Sequence, residues 1–335
     1  MRLLYPDIEP YADHFLSMPA NKGEVVHQLY VEECGNPEGV PVVFLHGGPG
    51  SGCRASHRCY FNPEFYRIIL LDQRGCGRSK PYACLENNNT DYLIDDLEQI
   101  RDRLNIDRWV VFGGSWGATL ALVYAEHYPE RVQAMILRGV FLGRQQDIDW
   151  VYSDGGAANV FPEAWKQLMS VLTDDEQLMP LKSLYALLVG TDDVRRSQAL
   201  QAFNQWEQQI VTLREGSFSL TEVLAETLSE VMISEPYEGA AAIIQLYYSL
   251  ELCFIEHKPI LSSIDKIRQI PTHIVHGRYD MVCPLKQPWA LSQAWPEASL
   301  TVLPLAGHSA GEASMVDALV KITDSVGSDL SGSSF

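Results

Sequence analysis

Basic side chains are scarce in this sequence: 25 Lys and Arg stand against 43 Asp and Glu, for a formal net charge of -18. A field of that sign repels phosphate backbones and anionic bilayers, and favours neutral or cationic ligands. No nucleic-acid partner is expected, and solubility is the simplest use of the charge. No apolar run is long enough to span a bilayer, and the amino terminus MRLLYPDIEPYADHF has neither an apolar h-region nor a cleavage site. A cytoplasmic protein with no membrane partner is therefore expected. Cysteine is sparing as well. The seven present (Cys34, Cys53, Cys59, Cys76, Cys84, Cys253 and Cys283) are odd in number, and neither a C-x-x-C pair nor a His-rich spacing suggests zinc. Free thiols in a reducing compartment fit this pattern. Cys53, Cys59 and Cys76 read as packing residues, because no motif sets a base beside them. Internal repeats are absent, and the one low-complexity stretch, GSDLSGSSF at 327–335, reads as a frayed end.

What is present suits a soluble globular chain: 335 residues, 46% hydrophobic and 20% charged. That length suits one large α/β domain with an insertion, or two average domains, and needs no disulfide or metal staple. Short apolar runs end in loop signals: Val42–Leu45 in HGGPG, Ile68–Leu71 in DQRG and Val110–Phe112 in GGSWG. Met135–Leu137 then leads to RG, His273–Val275 to HGRYD and Leu300–Leu303 to PLAGH. Continuous runs of this length predict strands buried on both faces, hence a mostly parallel sheet with helices on either side. A helix capped by Thr90 should present Leu93, Leu97, Ile100 and Leu104 as one stripe. A second, Ala- and Leu-rich, should run from Trp116 to Tyr128 and stop before Pro129. From about Gly143 to Ile264 the strand rhythm gives way to helical patterns such as VRRSQALQAFNQWEQQIVTL. The expected organisation is a catalytic domain of residues 1–143 and 265–335, with a helical cap at 144–264 that governs substrate selectivity.

The chemistry concentrates at the loop signals. Gly113-Gly114-Ser115-Trp116-Gly117 has the G-x-S-x-G form between a strand and a helix, the context a nucleophile elbow needs. Gly113 and Gly117 leave room for a tight turn, and the helix start beneath Ser115 favours developing negative charge. A plain Gly-rich turn is the blander reading, disfavoured by that context. A serine hydroxyl needs a base, and this arrangement orders its triad Ser, acid, His. His308, after the last strand in LPLAGHSAGE, is the base of choice. His273 and His276 lie within or at the end of a strand, and His127 ends a helix. Asp280 in HGRYDMVCP is the candidate acid that orients the imidazole, although an Asp there could simply form a turn. The oxyanion hole should combine the amide of Trp116 with that of Gly48, favoured over Gly47, in the loop His46–Gly50. His46 reads as a buttress for that loop. The charges of Asp72-Gln73-Arg74-Gly75-Cys76-Gly77-Arg78-Ser79 read as ion pairs locking adjoining turns. A nucleophilic Asp72 is set aside, since Ser115 already occupies the elbow.

HGGPG, DQRGCGRS, GGSWGATLAL, YPERVQAMILRGVFLGR and HGRYDMVCP together resemble the proline iminopeptidases, α/β-hydrolases that release an amino-terminal proline from peptides. The resemblance runs from about Asp13 to Asp317 and includes FPEAW between Trp150 and Trp165. It implies a fold of the α/β-hydrolase type and a small peptide substrate with a free amino terminus. It also implies that Glu207 matches a cap carboxylate that binds the substrate's positive imino group. On residues alone, Glu207 reads as a solvated helix carboxylate. Gln245 stands where the family has a second cap glutamate, and Ser249 where an aromatic pocket residue is expected. Glu251 is a candidate to compensate, and Phe141 and Tyr152 are candidate pocket walls. The expected activity is a serine aminopeptidase working through an acyl-enzyme, with no metal or organic cofactor. A small ester or amide hydrolase with an altered cap is the rival, and a catalytically silent binding protein the remaining alternative.

Overall fold

Alternating side chains decide the architecture. A computed structural model describes residues 1–21, 23–211, 213 and 239–332. It contains the strands β1 (Ala12–Ser17), β2 (Gln28–Gly35), β3 (Val40–Leu45), β4 (Tyr66–Leu71), β5 (Trp109–Gly114), β6 (Val132–Arg138), β7 (Thr272–Gly277) and β8 (Ser299–Leu303). In the central strands both faces of the pleat are apolar. Val43, Leu45, Ile69, Val111, Leu137 and Ile274 enter one core, while Val42, Phe44, Ile68, Val110, Ile136 and Val275 enter the other. A strand apolar on both faces must be covered on both, which is the condition for a parallel α/β sheet.

The sheet order is β1-β2-β4-β3-β5-β6-β7-β8, parallel from β4 through β8. β1 and β2 add antiparallel strands at one edge. Charge in ADHFLS and QLYVEECG hides these two strands in the sequence. Within the fold the β2 charges are paired: Arg67 Nε donates to Glu33 at 2.7 Å, and Arg58 Nε to Glu32 at 2.7 Å. The chain leaves β3 towards β4 on one side, then crosses to β5 on the other. That places a topological switch point at the carboxyl ends of β3 and β5, where α/β sheets bind ligands.

The helix α1 (Thr90–Arg103) buries Leu93, Leu97 and Ile100, with Leu104 beside them. Its cap is Asn89, whose side chain accepts from the Tyr92 amide at 3.1 Å, and not Thr90. Thr90 occupies the first helical position, and its hydroxyl donates to the Cys253 carbonyl instead, at 2.5 Å. Helix α2 (Trp116–His127) is buried along nearly its whole length, as its composition predicts. Between β6 and β7 the described elements are helical: α3 (Gln145–Tyr152), α4 (Pro162–Met169), α5 (Pro180–Val189), α6 (Asp193–Val211) and α7 (Ala240–Leu250). They share an apolar core of their own, centred on Leu168, Leu184, Phe203, Trp206 and Leu246. They also touch the strand-end loops, since the Trp150 indole donates to the Met281 carbonyl at 2.7 Å and Tyr248 packs edge-on to Trp116.

Helix α8 (Lys286–Ala294) joins β7 to β8, and α9 (Ala313–Ser331) covers the second core. The expected frayed end is corrected here. The helix continues to Ser331 because Gly327 packs against the Tyr66 ring, whose hydroxyl donates to the Thr323 carbonyl at 2.5 Å. Residues 333–335 lie outside the described residues.

Near the end of α2, Glu126 is buried at 6% exposure, and its Oε1 has no hydrogen-bond partner. Burial pushes its carboxyl up to about 8, against a smaller opposing effect of Lys266. An acid raised in the folded state contributes stability below its unfolded pKa and loses it as pH climbs through the folded one. Stability should therefore fall between about pH 4.5 and about pH 8 on this account. Glu126→Gln should raise the melting temperature by about 3 °C at pH 8.5 and distinctly less at pH 5, in a pair of thermal scans.

Candidate active site

Ser115 sits between β5 and α2 with φ 57° and ψ -124°, a left-handed backbone that L-residues rarely adopt. Such a conformation costs about 1–3 kcal/mol and persists only where surrounding structure imposes it. Here the Ser115 amide donates to the Arg138 carbonyl at 2.9 Å, and its own carbonyl accepts from Ala118 at 2.9 Å. The glycines are sterically required. A Cβ on Gly113 would lie 2.2 Å from the Gly117 carbonyl oxygen, and one on Gly117 would lie 2.0 Å from that of Leu45.

Asp280 and His308 follow β7 and β8 on the same sheet edge. The His308 Nδ1–H donates to Asp280 Oδ2 at 2.7 Å, and both side chains are buried. The other oxygen, Oδ1, accepts from the amides of Val282 (3.0 Å) and Cys283 (2.7 Å). Turn formation and imidazole orientation are thus served by one carboxylate. Burial alone would raise its pKa, but the charge and hydrogen bond of His308 hold it below the ordinary carboxylate value.

Three residues support this arrangement without a visible motif. Arg138 Nη1 donates to the His308 carbonyl at 2.8 Å, and the Gly307 amide donates to Glu312 at 2.9 Å. The Cys283 sulfur lies within 4.8 Å of ligand atoms on Asp280 and His308, and Cys283 lines the cavity beside Ser115. These three could present N, O and S ligands to a metal, but the His308–Asp280 hydrogen bond already engages two of them. Burial raises the Cys283 thiol well above its usual value, so it stays protonated. The position three residues after Asp280 is the one sequence signal that could have pointed to it.

Above Ser115 lies a cavity lined by Gly48, Pro49, Phe141, Tyr152, Gln245, Ser249 and Cys283. Gly47 approaches closely too, since a Cβ placed on it would meet the Ser115 side chain at 3.3 Å. Gln245 Nε2 donates to the Tyr152 hydroxyl at 3.0 Å. Glu207, on α6, lies close to both Gln245 and Tyr152. Burial pushes its carboxyl up to about 7 against the smaller opposing influence of those two side chains, and Oε1 is buried with no partner. The carboxylate that lines the cavity itself, Asp147, is paired with Arg144 at 2.7 and 2.8 Å. The compensating role considered for Glu251 is corrected. It follows the last residue of α7, exposed to solvent beside Tyr185 and Tyr247. Six residues along a helix turn the side chain roughly 240° away from Gln245.

The loop network is as expected from its charges: Arg78 Nε meets Asp72 at 2.7 Å and Arg74 Nε meets Asp96 at 2.7 Å. Asp72 is consumed by these contacts and by the Cys53 amide at 2.6 Å. His127 and His276 bond backbone carbonyls, at Val123 and Cys283.

A family model described as alpha/beta hydrolase fold matches residues 40–312. A proline iminopeptidase of Arabidopsis thaliana is 43% identical over 93% of this chain and 78% of its own length. One from Xylella fastidiosa is 42% identical over 97% of this chain and 99% of its own. The chain belongs to the proline iminopeptidase family of α/β-hydrolases. Solved structures agree on the fold: an alpha/beta fold hydrolase from Bacillus anthracis superposes with TM-score 0.62 at 20% identity, covering 93% of this chain and 99% of that one. A proline iminopeptidase-related protein from Thermus thermophilus gives 0.56 at 19%, covering 96% and 98%. As a member of this family the chain is an enzyme, and no helix among its described residues is long and apolar enough to cross a membrane.

If Asp280 sets the tautomer of His308, Asp280→Asn should lower kcat by about 10⁴ with a modest change in KM, measured under steady state. Gly117→Ala drives a methyl group into the β3 backbone. It should cost at least tenfold in activity together with a lowered melting temperature, whereas retention of both would show that the elbow tolerates the clash.

Proposed function

We propose that this chain is a serine aminopeptidase that releases an amino-terminal proline, or another small residue, from peptides. The observation that carries the reading is the union of the elbow at Ser115, the Asp280–His308 pair and the half-buried Glu207, whose Oε1 is shielded from solvent without a partner. The curated relatives at 42–43% identity bear the same activity in their names. In this mechanism Ser115 Oγ attacks the first peptide carbonyl as His308 Nε2 takes its proton. The amides of Trp116 and Gly48 hold the oxyanion. His308 returns the proton to the departing amine, leaving a prolyl ester on Ser115. Water, deprotonated by the same imidazole, then releases free proline. Residues 144–264 act as the cap: α3, α6 and α7 carry Tyr152, Glu207 and Gln245, which meet the substrate's cationic imino group at the end of the peptide chain. A carboxylate there admits only chain ends, because an acylated nitrogen brings no charge to offset burial.

A second reading, a small ester or amide hydrolase, draws on the neutral Gln245 and the small Ser249 that line the cavity. Proline-β-naphthylamide and its N-acetylated form separate the two, with Ser115→Ala as the blank. Turnover of the free-amine substrate alone supports the aminopeptidase. Equal turnover of both, or of neither while a simple ester is cleaved, leaves only the esterase. Cation binding requires ionised Glu207, which the fold places at about 7. The value of kcat/KM for the free-amine substrate should therefore fall as pH drops through about 7. Glu207→Gln should flatten that limb and cost about tenfold, chiefly in KM.

A further inference from the structure

Gln73 is buried at 3% exposure between two loops that meet at the reacting serine. Its side-chain Oε1 accepts from the Trp116 indole Nε1–H at 2.9 Å, and its Nε2 donates to the His46 carbonyl at 3.1 Å. Both partners have a single role, since an indole N–H only donates and a carbonyl only accepts. A carboxamide of this length supplies one acceptor and one donor across that gap.

The backbone of Gln73 reaches the same loop. Its amide donates to His46 Nε2 at 3.0 Å, which makes Nε2 an acceptor and puts the ring proton on Nδ1. Burial lowers the His46 pKa, so the ring stays neutral in this tautomer. His46 Nδ1–H then donates to the Gly47 carbonyl at 2.9 Å, where the Ser51 amide also donates at 3.3 Å. That carbonyl belongs to the same peptide unit as the Gly48 N–H. The unit is trans, so holding the oxygen on one side directs the N–H to the other. A glycine-rich loop without this hold could rotate the unit and present a carbonyl where the oxyanion needs a donor.

We propose that Gln73 is a positioning residue for the oxyanion hole: through His46 and the Trp116 indole it fixes the orientation of the Gly48 amide relative to the elbow. This rests on the serine-hydrolase reading above, but not on its substrate. Glutamate would keep the acceptor for Trp116 and lose the donor to His46, and methionine would lose both.

The test measures kcat and KM of Gln73→Met and Gln73→Glu on proline-β-naphthylamide and on p-nitrophenyl acetate, beside melting temperatures. Loss of an oxyanion donor costs about 10²–10³ in kcat, and misorientation of one should cost about 10–100-fold. The expected result is that drop in kcat on both substrates, with KM within about threefold. Should neither variant fold, Trp116→Phe removes the indole donor while keeping an aromatic ring in the site, and a kcat loss of about three- to tenfold with unchanged KM is expected. A kcat within twofold of the unsubstituted protein, or a loss confined to KM, overturns the proposal. If the unsubstituted protein cleaves the ester and not the naphthylamide, the aminopeptidase reading fails while this inference is still decided on the ester.

Discussion

Ser115 holds a backbone conformation that no serine adopts unaided, and the rest of the site is arranged to keep it there. The β6 carbonyl at Arg138 takes its amide, helix α2 begins on its carbonyl, and Gly113 and Gly117 let β3, β5 and α2 close to contact distances that a methyl group forbids. The cost of the turn is of the order of 1–3 kcal/mol, small beside what the surrounding sheet stabilises through strands buried on both faces. The strain aims Oγ out of the sheet edge towards the cavity.

The same edge gathers the other groups because parallel strands all end there. β7 delivers Asp280, β8 delivers His308 and β3 delivers the glycine loop, so groups far apart in sequence gather at one edge. Arg138 serves twice: its carbonyl anchors the nucleophile, and its guanidinium anchors the loop that carries His308. Electrostatics follow from burial. Asp280 is held ionised by its histidine, Cys283 is held as a thiol, and Glu207 is poised near neutrality with an unused oxygen.

Much of this is legible before folding is considered. Val42–Leu45, Ile68–Leu71 and Val110–Phe112 are apolar on both faces, which predicts central parallel strands, and their loops hold the chemistry. What is not legible depends on contacts between distant segments. β2 contains Glu32 and Glu33, whose partners Arg58, on the turn between β3 and β4, and Arg67, on β4, come beside them only in three dimensions. Glu251 is close to Gln245 in sequence, yet helical rotation puts it on another side, in solvent. Thr90 has the chemistry of a cap, but Cys253 draws its hydroxyl away and Asn89 caps instead. Gln73 is one residue of a charged loop until the fold sets it between Trp116 and His46.

The central claim is that Ser115, and not the neighbouring Cys283 thiol, takes the acyl group. Rapid acid quench of the enzyme during turnover of an activated proline ester, followed by peptide mapping by mass spectrometry, tests it directly. The account predicts one added prolyl group on the peptide containing Ser115, absent from Ser115→Ala. An adduct on Cys283, or none while proline accumulates at burst rates, would contradict it.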